Sequence, residues 1–91
     1  MQKVIWVTGA STGIGREIAN EFSKAGHIVV VTGRRKSRLV AIASEIKYAG
    51  REATAFVCNM LSERSIIGTA KRIREKYGRI DCLVNNAGVT S

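Results

Sequence analysis

Short apolar runs rich in β-branched residues alternate with helical stripes along the whole chain, and this alternation restricts the fold more than any other feature. Residues 3–8, 27–33 (HIVVVTG), 52–58 (EATAFVC) and 80–85 (IDCLVN) read as four strands. Between them, Ile14, Ile18 and Phe22 recur at i, i+4, i+8, and Leu39, Ile42, Ala43 and Ile46 at i, i+3, i+4, i+7. Ile66, Ile67, Ala70, Ile73 and Tyr77 form a third stripe. All three stripes are expected to face a core. Gly26, Gly50 and Gly78 stand where a left-handed residue ends a helix, and Ser62 stands where a hydroxyl caps the start of the third.

The order β-α-β-α-β-α-β specifies a parallel sheet with right-handed crossovers. The expected fold class is α/β, a doubly wound parallel sheet of four strands in the order 3-2-1-4 with three helices. The first two helices lie on one face and the third on the other. Strand order reverses between the first and fourth strands, so a ligand is expected at their carboxyl ends. Two glycine-containing motifs, GASTGIG and NNAG, fall there. Cys58 and Cys82 lie on strands three gaps apart, roughly 14 Å at ~4.8 Å per gap, too far for a disulfide.

Ninety-one residues make at most one small domain, here taken as residues 1–91. No apolar run approaches the ~20 residues that span a bilayer. The opening MQKVIWV is too short for a secretory signal, so the cytoplasm is the expected compartment and no membrane is involved. The formal charge of +8 raises the question of nucleic acid. The basic residues are, however, spread along the chain, with one tight cluster at Arg34, Arg35, Lys36 and Arg38, and no aromatic residue is interleaved with it. That pattern fits solvated helix faces with one local anion site better than a nucleic-acid groove. The two cysteines lack metal-ligand spacing, and no metal site is expected.

The loop from Gly9 to Gly15 admits three chemistries. A P-loop requires Gly-Lys-Ser/Thr at its end, and Ile14 follows Gly13 instead. The segment Gly9-Ala10-Ser11-Thr12-Gly13 matches a nucleophile elbow, but the single Asp, Asp81, and the single His, His27, cannot supply the hydrolase order of partners. Dinucleotide binding remains. A first glycine permits a tight turn, later ones let backbone and pyrophosphate approach, and the helix start offers N–H groups and the positive dipole end. The hydroxyls of Ser11 and Thr12 can add donors.

These residues together resemble the short-chain dehydrogenase/reductase family. The resemblance covers essentially all of the chain and is carried by Thr8-Gly9-x-x-x-Gly13-x-Gly15, Gly33-Arg34-Arg35, Asn59, and Ile80-Asp81-x-Leu83-Val84-Asn85-Asn86-Ala87-Gly88. Among its members, 3-oxoacyl-carrier-protein reductases have this general look. The resemblance implies a Rossmann-type fold in which Gly9 to Gly15 hold the pyrophosphate, with Ile14 toward the nicotinamide. Asn59, where the family often has Asp, and Met60 would border the adenine. Asn86, Ala87 and Gly88 would contact the adenine-side ribose and brace the sheet.

After the second strand come Arg34 and Arg35, with no carboxylate before Glu45. An acidic residue there grips the ribose hydroxyls of NAD, whereas arginine accommodates the 2′-phosphate of NADP. NADP(H) is therefore the expected cofactor, held by Arg34 and Arg35. The family implies hydride transfer with a Ser and a Tyr-x-x-x-Lys pair. Tyr48 and Tyr77 are followed four residues on by Glu52 and Asp81, so no catalytic residue is assigned. The chain reads as the cofactor-binding front portion of such an oxidoreductase, acting on a carbonyl or alcohol substrate only when completed by further chain. The alternative is a nucleotide-binding or interaction module without turnover. The open edge of the fourth strand is expected to promote self-association.

Overall fold

The structure, a computed structural model, describes residues 1–86. Its elements follow in the order β1 (Val4–Thr8), α1 (Gly13–Lys24), β2 (Ile28–Gly33), α2 (Lys36–Tyr48), β3 (Ala53–Val57), α3 (Glu63–Tyr77) and β4 (Cys82–Asn85). The four strands form one parallel sheet ordered β3-β2-β1-β4, the order expected from the alternation. Val7 aligns with Val31 on one side and Val84 on the other, and Thr8 aligns with Asn85.

Alternation of side chains across the sheet divides the core in two. Ile5, Val7, Val29 and Val31 point to the face covered by α1 and α2, where Leu39, Ile42, Ala43 and Ile46 bury themselves. Val4, Trp6 and Val30 point to the other face and meet Ile73, with Ile66, Ala70 and Tyr77 packed alongside. The central strands are thus apolar on both faces, as a parallel sheet covered by helices requires. The indole N–H of Trp6 donates to Thr32 Oγ1 at 2.8 Å, so the one polar atom of this large buried ring is satisfied.

Two of the expected stripes need correction. Ile14 is 65 % exposed, and the ridge that α1 presses onto the sheet is Gly15, Ala19 and Ser23, with Ile18 and Phe22 beside it. Close approach of helix to loop selects the small residues, so apolarity alone misplaces the ridge. On α3, Ile67 is 59 % exposed while Ile66, Thr69, Ala70 and Ile73 face the sheet. The run Ile66-Ile67 spans about 100° of the helix, and only one of the pair can point inward.

The helix ends follow the sequence closely. Gly26, Gly50 and Gly78 have φ of 94°, 82° and 85°, and Ser62 Oγ accepts the Ser65 N–H at 3.2 Å. Entry into β4 is held by Asp81, whose carboxylate accepts the Val4 N–H at 2.7 Å and pairs with Arg79 at 2.7 Å. Those two bonds hold its carboxyl below the usual carboxylate range. Both cysteine thiols are free. Among the described residues, no helix is long and apolar enough to cross a membrane.

Candidate functional site: the glycine loop at the switch point

The site is built where β1 and β4 end. Gly9 turns the chain out of β1 with φ 62°, a conformation open to glycine without strain. Ala10 is fully buried, and its N–H donates to Thr32 O at 3.0 Å, tying the loop to β2. Thr12 is the N-cap of α1. Its hydroxyl donates to Gly9 O and accepts from Gly15 N, each at 3.1 Å. Arg16 N donates to Thr12 O at 3.0 Å. The N–H groups of Gly13 and Ile14 have no acceptor among the described residues and open to solvent at the start of α1, where the helix dipole is positive.

The glycines divide into two roles. A Cβ on Gly15 would lie 2.5 Å from Gly9 O and 2.6 Å from Ala10 Cα, so this position is closed by the chain itself. A Cβ on Gly13 would meet no atom within 4 Å. Nothing in the described chain requires a bare backbone at Gly13, whereas a phosphate resting on the first turn of α1 would. Neither α1 nor α2 carries an acidic residue in its first turn, so no fixed negative charge competes with an anion there.

The loop is locked from the side by β4. Asn86 donates its side-chain amide to Gly9 O at 3.1 Å and to Thr12 Oγ1 at 3.3 Å, while its backbone N–H donates to Thr8 Oγ1 at 3.0 Å. Thr8 Oγ1 also lies 3.1 Å from Asn85 Oδ1 and 3.3 Å from Val84 O. Thr8 was therefore underrated by sequence reasoning. Its place in the glycine motif was legible, but its partners belong to a strand 76 residues or more away.

The other expected residues are placed as follows. Ser11 sits over the end of β2, where a Cβ on Gly33 would lie 3.0 Å from its Oγ. Thr12 spends its hydroxyl proton on Gly9 and accepts from Gly15 N and the Asn86 amide, so it braces the loop. Ile14 stands exposed beside the loop. Arg34 and Arg35 are exposed where β2 gives way to α2 and make no ion pair among the described residues. Asn59 closes a turn after β3, its Oδ1 accepting Leu61 N at 3.0 Å, which leaves its amide N–H groups for a ligand. Met60 is half-buried, packed against the core cluster on the α3 face with its sulfur 3.7 Å from Cys58 Sγ. Ala87 and Gly88 lie outside the described residues. Arg38 was recognised only as one charge in a cluster; its Nη1 donates to Ser11 O at 3.4 Å, a contact between α2 and the glycine loop.

These features define a doubly wound α/β protein with an anion-receptive glycine loop at its switch point. The particular family follows from comparison: residues 3–91 match the short chain dehydrogenase family, and the chain belongs to it. It is 46% identical over 90 residues to the 3-oxoacyl-acyl-carrier-protein reductase of Aquifex aeolicus, covering 97% of this chain and 36% of that protein. It is 36% identical over 88 residues to a 3beta-hydroxysteroid dehydrogenase of Mediterraneibacter gnavus, covering 97% and 32%. The chain thus spans about a third of the length of the curated relatives it matches. Among solved structures it superposes with a TM-score of 0.91 on L-sorbose reductase from Gluconobacter frateurii, a complex with NADPH and L-sorbose, at 33% identity, 99% of this chain and 35% of that one. A metagenomic short-chain oxidoreductase in complex with NADP matches with a TM-score of 0.89 at 42% identity, covering 96% and 39%.

Proposed function

We propose that the chain is the NADP(H)-binding portion of an oxidoreductase that interconverts a carbonyl and a hydroxyl group by hydride transfer. The observation that carries this reading is the bare, solvent-open backbone at Gly13, set at the start of α1 within a loop that Gly15 and Asn86 hold in shape. The residues present fit a dinucleotide. The Gly13 and Ile14 N–H groups would take the pyrophosphate, and Arg34 and Arg35 would take a 2′-phosphate. Asn59 would lie along the adenine, and Ile14 would flank the nicotinamide. When bound, the dinucleotide supplies or accepts the hydride. The chain's own work is to orient it and to neutralise its phosphates.

The NADP-bound relatives support the choice of cofactor. The diversity of the chain's relatives, which include a 3beta-hydroxysteroid dehydrogenase and an L-sorbose reductase, leaves the substrate at the level of a carbonyl or alcohol. A second reading, nucleotide binding without turnover, draws on Tyr77. Its phenol donates to Glu52 at 2.7 Å, accepts from the Thr54 hydroxyl at 2.5 Å, and is pushed up to about 12, chiefly by burial and then by the Glu52 bond. Such a phenol does not exchange protons with a substrate near neutral pH. Self-association through β4, where Leu83 is 49 % exposed on an edge strand, is part of the same proposal.

Titration of the 91-residue chain with NADPH and NADH, followed by nicotinamide fluorescence, tests the reading. Saturable binding with NADPH preferred is expected, and absence of binding to either overturns it. Oxidation of NADPH by a panel of ketones and aldehydes separates the oxidoreductase from the binding module. Sedimentation of the same sample reports self-association.

A further inference from the structure

We propose that the amino end of the sheet carries a second binding site, separate from the glycine loop, for a small zwitterion of the α-amino-acid class. It is a cavity of about 310 Å³, within the size range of small-ligand pockets. It lies where the chain enters its first three strands, beside Gln2 before β1, His27 before β2, and Arg51 and Glu52 before β3. Strand β1, five residues long, puts roughly 17 Å between this end and the glycine loop. Ser23 sets the cavity apart. It lines the cavity, is 1 % exposed, and its Oγ has no hydrogen-bond partner among the described residues. A hydroxyl taken out of water without a partner is costly, and a polar ligand in the cavity would supply one.

The charges around Ser23 select the ligand. Helices α1 and α2 both end at this cavity, which Gly26 and Gly50 line, so the negative ends of two helix dipoles meet there. Those ends suit an ammonium group. Gln2 donates its Nε2 to Gly26 O at 3.3 Å and keeps its amide oxygen as a further acceptor. The donors are Arg51 and His27. Arg51 is exposed and makes no ion pair among the described residues. His27 Nδ1 accepts the Lys3 N–H at 3.0 Å, so the ring carries its proton on Nε2, a donor without an acceptor among the described residues. A guanidinium and an imidazole N–H together suit a carboxylate. The Glu52 carboxylate, by contrast, is engaged by the Tyr77 hydroxyl at 2.7 Å. A simple anion would face two negative helix ends, and a simple cation would face Arg51. A molecule with a carboxylate toward Arg51 and His27 and an ammonium toward the helix ends meets neither penalty. The Ser23 hydroxyl, which both donates and accepts, bonds to either group.

Water alone in the cavity is the competing account, since it too would satisfy Ser23. Dissociation constants for L-alanine, acetate and methylammonium are measured by calorimetry on the full chain without dinucleotide, so failure here is distinct from failure of the cofactor reading. L-Alanine is expected to saturate and to bind about tenfold or more tighter than acetate or methylammonium, each of which carries one of its two charges. Arg51→Gln is expected to weaken L-alanine about tenfold or more. Ser23→Ala should weaken it about fivefold while the thermal midpoint of the free chain holds or rises, because that chain loses only an unpaired hydroxyl. Acetate or methylammonium binding as tightly as L-alanine makes the cavity a simple ion site and overturns the proposal. No saturable binding of any probe leaves water as the occupant and overturns it, as does an Arg51→Gln or Ser23→Ala protein that binds L-alanine like wild type.

Discussion

The side-chain amide of Asn86 donates to the carbonyl of Gly9, 3.1 Å away, and so clamps the end of β4 onto the turn that leaves β1 across 77 residues of sequence. A second bond reaches the Thr12 hydroxyl at 3.3 Å, so a single amide holds both the turn and the helix cap. Asn86→Ala removes both while leaving the backbone bond to Thr8 in place. Loss of these two hydrogen bonds, one partly buried and one exposed, is expected to cost about 1 kcal/mol in urea denaturation. NADPH affinity should fall with it, because the loop loses its lateral support.

Gly13 and Gly15 should separate folding from binding. At Gly15 a methyl group would sit 2.5 Å from Gly9 O and 2.6 Å from Ala10 Cα, both backbone atoms that cannot step aside. Gly15→Ala is therefore expected to destabilise the chain by about 2–3 kcal/mol or more. At Gly13 the methyl has open space, and stability should change by less than about 1 kcal/mol. The same methyl would stand on the first turn of α1 and displace a phosphate, weakening NADPH binding by about tenfold or more. Denaturation and cofactor titration on the two variants check both halves; a Gly13→Ala protein that binds normally would remove the pyrophosphate from this loop.

Charge at the end of β2 should govern the cofactor. Arg34→Asp replaces an exposed cation, free of ion pairs among the described residues, with a carboxylate that repels a 2′-phosphate and accepts from ribose hydroxyls. NADPH affinity is expected to fall by about 10- to 100-fold while NADH affinity holds or improves. Competition between the two cofactors measures this directly.

Tyr77 should make stability fall in strong alkali. Its folded-state pKa of about 12 lies above the ordinary 10.0, so between these values the folded chain holds a proton that the unfolded chain has released. By linkage, the contribution of Tyr77 is fully present below pH 10.0 and is lost as pH rises toward about 12. The difference between wild type and Tyr77→Phe in ultraviolet titration should show a phenol ionising near the upper value. The stability gap between the two proteins should narrow over the same window.

Element order and topology were legible because they depend on local periodicity and on chain handedness, both of which are written in consecutive residues. The helix-ending glycines and the Ser62 cap were legible for the same reason. The inward ridge of α1 was not. Ile14 looked like core by its chemistry, yet the buried ridge is Gly15, Ala19 and Ser23, and at Gly15 the loop backbone lies too close for any side chain. Met60 was similarly ambiguous, since a residue that follows a strand can face either a ligand or the opposite core, and here it is half-buried against that core.

By itself the sequence determined that four strands and three helices would form a parallel, doubly wound sheet, and that the glycine loop and Asn85-Asn86 would meet at its switch point. It also determined that the basic cluster would stand beside them, because the end of β2 neighbours the end of β1 in that topology. What only the tertiary structure decided is the assignment of work within the site. Thr12 and Asn86 spend their polar atoms on the loop, Gly15 is closed while Gly13 is open, and Arg38 donates to the carbonyl of Ser11. The physical reason is distance. Hydrogen-bond partners and steric clearance depend on angstrom-scale separations, across 77 and 74 residues for Asn86 and across 27 for Arg38, and residue types alone do not encode them.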